Sequence, residues 1–188
     1  MKIALAFLST ALVILACTNI STQPSINNNM SQDNNNPYYS RTDTTKLNVS
    51  DTEWKKILSS DLYGVARNKD TERAYTGKYT DFEGLGIYHC AVCGNALFRS
   101  DSKFSSHCGW PSFFEALREN AVIYEDDRAY GMSRIEVLCG RCDSHLGHIF
   151  DDGPPPTGKR YCMNSISLDF APDVPVKDSE PALPHRGN

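Results

Sequence analysis

The sequence predicts a β-rich α+β domain, mainly β, and three observations carry that reading. From Gly86 onward, short apolar or alternating runs recur between turn residues, as strands do. The two helical patterns that precede them are short and lie between Ser50 and Asn68. Two Cys-x-x-Cys pairs, Cys90/Cys93 and Cys139/Cys142, then offer a staple for a sheet-built core. The chain has 188 residues, room for one domain with extensions, and its 40% hydrophobic and 10% aromatic content suffices for a core. A net charge of -4 gives no electrostatic footprint for a nucleic acid partner. Seven cysteines is an odd number, so disulfides alone cannot pair them all.

The chain opens with an address. Met1-Lys2 is a charged start, and Ile3 to Ala16 is apolar apart from Ser9 and Thr10, the layout of a secretory signal. The run is shorter than the about 20 residues that a spanning helix needs. It ends Ile14-Leu15-Ala16-Cys17, which resembles a bacterial lipoprotein signal, with isoleucine where leucine is more usual. Residues 1–16 are therefore expected to be a signal peptide and Cys17 to be lipidated. This places the protein at the periplasmic face of a bacterial membrane; the alternative is a soluble periplasmic or secreted protein. Residues 17–48 are rich in Asn, Ser, Thr, Gln and Asp and are expected to be a flexible tether.

The globular domain is expected over 49–172. Ser50-Asp51-Thr52-Glu53 has the spacing of a capping box, and Trp54, Ile57 and Leu58 mark one face of a short helix. Leu62 to Asn68 reads as a second helix and Thr71 to Tyr79 as a loop. Strands follow at Gly86–Cys90 and Ala96–Phe98, separated by a turn at Gly94-Asn95. Pro111 to Leu117 reads as a short helix with proline in its first turn. Ala121–Tyr124 and Ser133–Leu138 read as strands, with Ile149-Phe150 after them. The last strand contains Arg160-Tyr161-Cys162-Met163-Asn164 and runs into Ser165–Phe170, with Ile166, Leu168 and Phe170 inward. By the period of two, Asn164 shares the side of Cys162, while Tyr161 and Met163 face away and pack. Residues 173–188 show no periodicity and are expected to be a loose tail.

Two cysteines two residues apart can turn both sulfurs onto one ion, and two such turns supply the tetrahedral thiolate set of structural zinc. Gly94 and Gly140 suit the tight turns. Cys90, Cys93, Cys139 and Cys142 are thus expected to hold one structural Zn and to clip two distant hairpins together. Disulfides are the competing reading for an exported chain. With Cys17 and these four assigned, Cys108 and Cys162 remain, as a redox couple or as one structural disulfide. Arg160 close to Cys162 favours its thiolate and makes it a candidate nucleophile, against the plain alternative of a buried structural cysteine. His145-Leu146-Gly147-His148 reads as a pair of metal ligands or as ordinary histidines. Arg134 and Glu136 share one strand face and read as a surface ion pair.

These motifs occur together in order. Cys-x-x-Cys, Cys108-Gly109-Trp110-Pro111-Ser112-Phe113, Gly131-Met132, the second Cys-x-x-Cys, His145-Leu146-Gly147-His148-Ile149-Phe150 and Arg160-Tyr161-Cys162-x-Asn164 resemble the methionine-R-sulfoxide reductase B family from about Ser50 to Phe170. The resemblance implies two antiparallel sheets with short N-terminal helices. It implies that Cys162 attacks the sulfoxide sulfur and becomes a sulfenic acid, and that Cys108 resolves it to a disulfide. A thioredoxin-like reductant would then restore both thiols. It implies that His148 delivers a proton to the sulfoxide oxygen with His145 as its neighbour, and that Trp110 and Asn164 shape the pocket. Tyr130 departs from the family, which often has histidine just before the Gly-Met pair.

The expected function is repair of oxidised exported proteins by a monomer that touches the membrane only through its lipid. Two other readings make different demands. A zinc-held binding module would carry a permanent Cys108–Cys162 disulfide, and a zinc hydrolase would hold an ion through His145 and His148 with an open position.

Overall fold

The computed structural model describes residues 36–173. The expected signal peptide, Cys17 and the tail beyond residue 173 lie outside the described residues. Two short helices lead: α1, Asp51–Ile57, and α2, Ser60–Asn68. Ser50 caps α1 by accepting the Glu53 N–H at 3.3 Å, as the capping box demands. Ser59 caps α2 through the Leu62 N–H, so this helix starts at Ser60 rather than at Leu62. Trp54 is the buried anchor of α1 and meets Tyr38 edge-on at 5.3 Å.

Nine strands follow: β1 Gly86–Cys90, β2 Ala96–Arg99, β3 Lys103–Phe104, β4 Ser112–Phe113, β5 Val122–Asp127, β6 Arg134–Cys139, β7 His145–Phe150, β8 Arg160–Met163 and β9 Leu168–Pro172. They form two antiparallel sheets, a three-stranded one ordered β2-β1-β9 and a six-stranded one ordered β3-β4-β8-β7-β6-β5. The expected fold class holds. The sheets meet through aromatic rings. Phe98 of β2 stacks on Phe113 of β4 at 4.5 Å and 11°, and Tyr88 of β1 meets Phe113 edge-on at 4.9 Å. All three are fully buried, each worth about 1.5–3 kcal/mol of apolar burial.

Three sequence expectations are corrected. Pro111 to Leu117 is not a helix. Ser112 and Phe113 pair with Cys162 and Tyr161, because burying Phe113 between the sheets outweighs a weak local preference. The final strand is two strands in different sheets. A 3-10 turn at Ser165–Ser167 divides β8 from β9, because the Ser165 and Ile166 N–H groups donate to the Glu72 carboxylate at 2.6 and 3.0 Å instead of to a ladder. This reverses the parity: Ser165 and Ser167 are buried and Ile166 is only half-buried. Finally, the part of the expected tether from residue 36 to 48 lies on the domain. Arg141, buried in the second cysteine turn, donates to the Tyr38, Cys93 and Thr45 carbonyls at 2.9, 2.5 and 3.2 Å and to Asp43 at 2.8 Å. Ser40 N–H donates to Cys93 at 2.9 Å and Leu47 N–H to Arg141 at 2.8 Å. Polar composition conceals this segment because only Tyr38 and Leu47 pack on the core, and the remaining contacts are hydrogen bonds of its backbone and polar side chains.

Candidate active site

The four cysteines of the paired motif converge. Cys90 and Cys93 flank the β1–β2 turn of the small sheet, and Cys139 and Cys142 flank the β6–β7 turn of the large one. Their sulfurs all lie within 4.8 Å of one another, with Cys90–Cys142 at 3.8 Å and Cys93–Cys139 at 3.6 Å. Metal–sulfur bonds of about 2.3 Å in a tetrahedron give edges of about 3.8 Å, so the residues present fit zinc. Four ligands close the coordination sphere, and the chemistry supplied is a clip between the sheets. The Asn95 amide reaches Cys139 Sγ at 3.5 Å and the Ser144 hydroxyl lies 3.2 Å from Cys142 Sγ, a polar collar suited to thiolates. Gly140 is required here, since a Cβ would come within 2.2 Å of the Asn120 carbonyl. Among the described residues, this is the one cluster suited to a metal; His145 and His148 are not part of it. All six described cysteines are free, so neither the disulfide reading of the four nor a Cys108–Cys162 bond is present.

The second group lies on the large sheet. Cys162 is opposite Ser112 of β4 on one side and His148 of β7 on the other, and Glu136 of β6 is opposite His148. Directly opposed residues point to the same face, so Ser112, Cys162, His148 and Glu136 form a row. His145 and His148, three apart, would face opposite ways on a regular strand. The register shifts between Val137 and Leu138: Val137 pairs with Gly147, and Leu138 pairs with His145. This bulge brings both imidazoles to one face, with ring centroids 5.5 Å apart. A Cβ on Gly147 would lie 2.1 Å from the Cys162 carbonyl oxygen, so the bulge also needs glycine there.

Cys108 comes from the loop between β3 and β4. His107 and Gly109, both with positive φ at 56° and 95°, turn that loop back so that Cys108 Sγ stands 3.3 Å from Cys162 Sγ. Tyr75 pins the loop by donating its hydroxyl to the His107 carbonyl at 2.6 Å and its N–H to Gly109 at 2.8 Å. Burial, with Cys108 beside it, pushes the Cys162 thiol up to about 12 against the pull of Arg160. Arg160 therefore acts in the expected direction but is outweighed; its guanidinium also pairs with Asp152 at 2.8 and 2.9 Å and stacks on Phe150. Burial raises Cys108 too, but hydroxyls from Ser106 at 2.9 Å and Ser112 at 3.5 Å, together with the Cys162 thiol, bring it down to about 7. Of the facing pair, Cys108 ionises first.

Each imidazole is backed by a carboxylate, and each carboxylate by a cation. His148 Nε2 is 2.8 Å from Asp127 Oδ2, which also receives Arg134 at 2.6 Å. The Ala129 N–H, His148 and Arg134 hold Asp127 far below the usual carboxylate range, while burial lowers His148. His145 Nδ1 is 2.6 Å from Glu136 Oε1, and Lys69 Nζ is 2.6 Å from Glu136 Oε2. Arg134 and Glu136 are thus not a surface pair; Glu136 is 3% exposed. Asn164 has both ends of its amide engaged, accepting from Glu72 N–H at 3.0 Å and donating to the Leu146 carbonyl at 3.1 Å. Trp110 donates its indole N–H to the Glu72 carbonyl at 3.1 Å. Thr71, Trp110, His148, Phe150, Cys162 and Asn164 surround a cavity of about 110 Å³. Its Thr71, Arg134 and His148 also border a larger depression of about 640 Å³ that includes His145 and Glu136.

Of the six expected site residues, Trp110, His148, Cys162 and Asn164 line the smaller cavity, Cys108 touches Cys162, and His145 borders the adjoining depression. Glu72, Asp127 and Glu136 escaped the sequence reading. Only Glu136 left a trace, as a charge in step with inward-facing Leu138. The Tyr130 side chain lies outside what the structure describes.

The fold thus brings two thiols into contact beside a cavity and gathers four other cysteines into a buried cluster that fits a structural metal. The chain belongs to the methionine-R-sulfoxide reductase B family, and the SelR domain pattern of that family matches residues 58–172. The peptide methionine sulfoxide reductase MsrB of Pseudomonas syringae pv. syringae (strain B728a) is 53% identical over 127 residues, 68% of this chain and 97% of that protein. The protein of the same name from Methanosarcina barkeri is 50% identical over 131 residues, 70% of this chain and 92% of its own. That of Thiobacillus denitrificans is 54% identical over 123 residues, 65% of this chain and 93% of its own.

Proposed function

We propose that this protein reduces R-methionine sulfoxide in oxidised proteins to methionine through its own two thiols. The observation that carries this is the 3.3 Å contact between Cys108 and Cys162 at a cavity with an aromatic wall, beside carboxylate-backed His148. The faces of Trp110 and Phe150 suit the S-methyl group. Cys162 passes its proton to the Cys108 thiolate and attacks the sulfoxide sulfur, while His148 supplies a proton to the oxygen. The S–O bond breaks, methionine leaves, and the oxygen remains on Cys162 as a sulfenic acid. The Cys108 thiol then displaces that oxygen as water and forms the disulfide. A thioredoxin-like dithiol exchanges with it, becoming oxidised as both cysteines return to thiols. His145 adjoins His148 as the second imidazole of the site. Cys90, Cys93, Cys139 and Cys142 would hold a zinc ion as a structural clip, and they take no part in these steps.

The sequence before residue 36 supports a setting for this activity. The apolar run ending at Ala16-Cys17 directs the chain outward and makes Cys17 a lipid acceptor, so the substrates are oxidised exported proteins. Incorporation of labelled palmitate that is lost in Cys17→Ala supports the anchor, and incorporation that persists in the variant overturns it. For the chemistry, the test is turnover of the separate R and S epimers of a protected methionine sulfoxide with dithiothreitol, in wild type and in Cys162→Ser. Reduction of the R epimer alone, abolished by the substitution, is expected. Turnover of neither epimer by the folded, zinc-loaded protein would refute the reading.

A further inference from the structure

We propose that Glu136, anchored by Lys69, is a positioning residue that fixes the tautomer of His145, reserving its Nε2 as a hydrogen-bond acceptor for a water or hydroxyl at the reaction site. The proposal deepens the sulfoxide-reductase reading and rests on it. Its geometry is a chain of three groups from three elements: Lys69 at the end of α2, Glu136 on β6 and His145 on β7, with two contacts of 2.6 Å. Side-chain exposure is 3% for His145 and 4% for Glu136, against 54% for Lys69. An ionised carboxylate only accepts, so the nitrogen facing it carries the proton. Burial raises Glu136, but hydrogen bonds from His145 and Lys69 overcome this and keep it ionised. In the neutral ring, the proton therefore sits on Nδ1 and the lone pair on Nε2.

A second, independent observation concerns that other nitrogen. His145 Nε2 is buried and has no hydrogen-bond partner in the protein. A buried polar atom without a partner costs roughly 1–3 kcal/mol, so one kept in a site stands ready for a ligand. His145 borders the larger depression, which joins the cavity of Cys162 at Thr71, Arg134 and His148. The oxygen-bearing species of the proposed reaction, the sulfenic acid hydroxyl and the water displaced from it, are hydrogen-bond donors that a bare Nε2 can hold. The charged groups around the ring are Glu136 and Lys69, His148 on the same strand, and the Asp127–Arg134 pair beyond it. His148 meets its own carboxylate through Nε2 rather than Nδ1, so the two rings are held by opposite nitrogens.

Glu136→Gln tests the assignment with little change in volume. The Lys69 ammonium takes the amide oxygen, which turns the amide NH₂ toward His145 Nδ1 and moves the ring proton to Nε2. The first readout is the ¹⁵N spectrum of the histidine rings, which reports the tautomer whether or not the enzyme turns over. Wild-type His145 is expected to be protonated on Nδ1 and the variant on Nε2. The second readout is steady-state kinetics on the R-sulfoxide, where kcat falls at least about tenfold while KM stays within about twofold, since a carboxylate-fixed tautomer acts on the chemical step rather than on binding. If Glu136→Gln does not fold, Lys69→Met at the exposed end of the chain replaces it. There the Nδ1 tautomer is expected to persist and kcat to fall by a smaller factor. A wild-type proton on Nε2 overturns the proposal, as does unchanged kcat in Glu136→Gln with an inverted tautomer, or unchanged kcat in Lys69→Met when that variant stands in. A wild-type protein that fails to reduce R-sulfoxide, yet shows His145 protonated on Nδ1, refutes the function and leaves the tautomer assignment standing.

Discussion

Removing the Ser106 hydroxyl is expected to raise the Cys108 thiol and to slow its reaction at neutral pH. The Ser106 hydroxyl donates to Cys108 Sγ at 2.9 Å and is the largest of the influences that bring this thiol down to about 7. A hydrogen bond to a charged acceptor contributes about 1.5–3 kcal/mol, and partial solvent access at Cys108 reduces this to roughly 1.4 kcal/mol, or about one pKa unit. A thiol of pKa about 7 is half ionised at pH 7; raised by one unit, it is about one-tenth ionised. The assay is alkylation by iodoacetamide across pH 5 to about 10, in a Cys162→Ser background where one pocket thiol titrates and a hydroxyl still stands in for the Cys162 donor. Because the thiolate is the reactive form, the rate rises with pH through the pKa and then levels off. Ser106→Ala is expected to move that midpoint upward by about one unit and to slow alkylation at pH 7 roughly fivefold. A midpoint that stays in place, or a starting midpoint near that of an ordinary thiol, would refute the argument that hydroxyl donors rather than Arg160 set the charge of the pair.

Other outcomes follow from the same geometry. Cys108→Ser is expected to stop the cycle after one turnover, with Cys162 carrying one added oxygen in the intact mass and trapped by a sulfenic acid reagent; continued turnover with a thioredoxin-like reductant would remove Cys108 from the cycle. Arg141→Ala leaves the Tyr38 and Thr45 carbonyls without their donor, and the Cys93 carbonyl with the Ser40 N–H alone, and is expected to cost about 2–4 kcal/mol in denaturant unfolding; a change below about 0.5 kcal/mol would contradict its bridging role. Stripping the metal with a chelator is expected to lower Tm by more than about 10 °C, because the clip joins turns of two different sheets; an unchanged Tm would mean that the sheets hold without it.

Much of this site was legible in the sequence because its chemistry is written in spacing. The paired Cys-x-x-Cys motif states a metal site without knowledge of the fold, and the turns at Gly94 and Gly140 state why it closes. What escaped depends on contacts between distant segments. Glu136 was read as a surface charge because strand parity is silent about the Lys69 and His145 that meet it. The bulge at Gly147 was hidden for the same reason: two histidines three apart look mismatched until the partner strand supplies the register. Phe113 misled in the opposite direction, since proline two residues before it is a sound local helix signal and only the stack on Phe98 defeats it. Ser165 and Ile166 seemed to continue a strand because the carboxylate that interrupts the ladder belongs to Glu72.

The segment over the cysteine turns has a consequence for where this protein is cut. Similarity to the SelR pattern begins at residue 58, whereas the carbonyls that satisfy Arg141 belong to residues 38 and 45, and Asn36 donates to Val92 inside the first cysteine turn at 2.7 Å. The stretch that matches the family pattern and the packed body of the domain therefore have different starting points. An expression clone trimmed to the shared boundary would retain the residues of the reaction and strand a guanidinium in the interior. Its poor behaviour would then report on the trimming rather than on the enzyme.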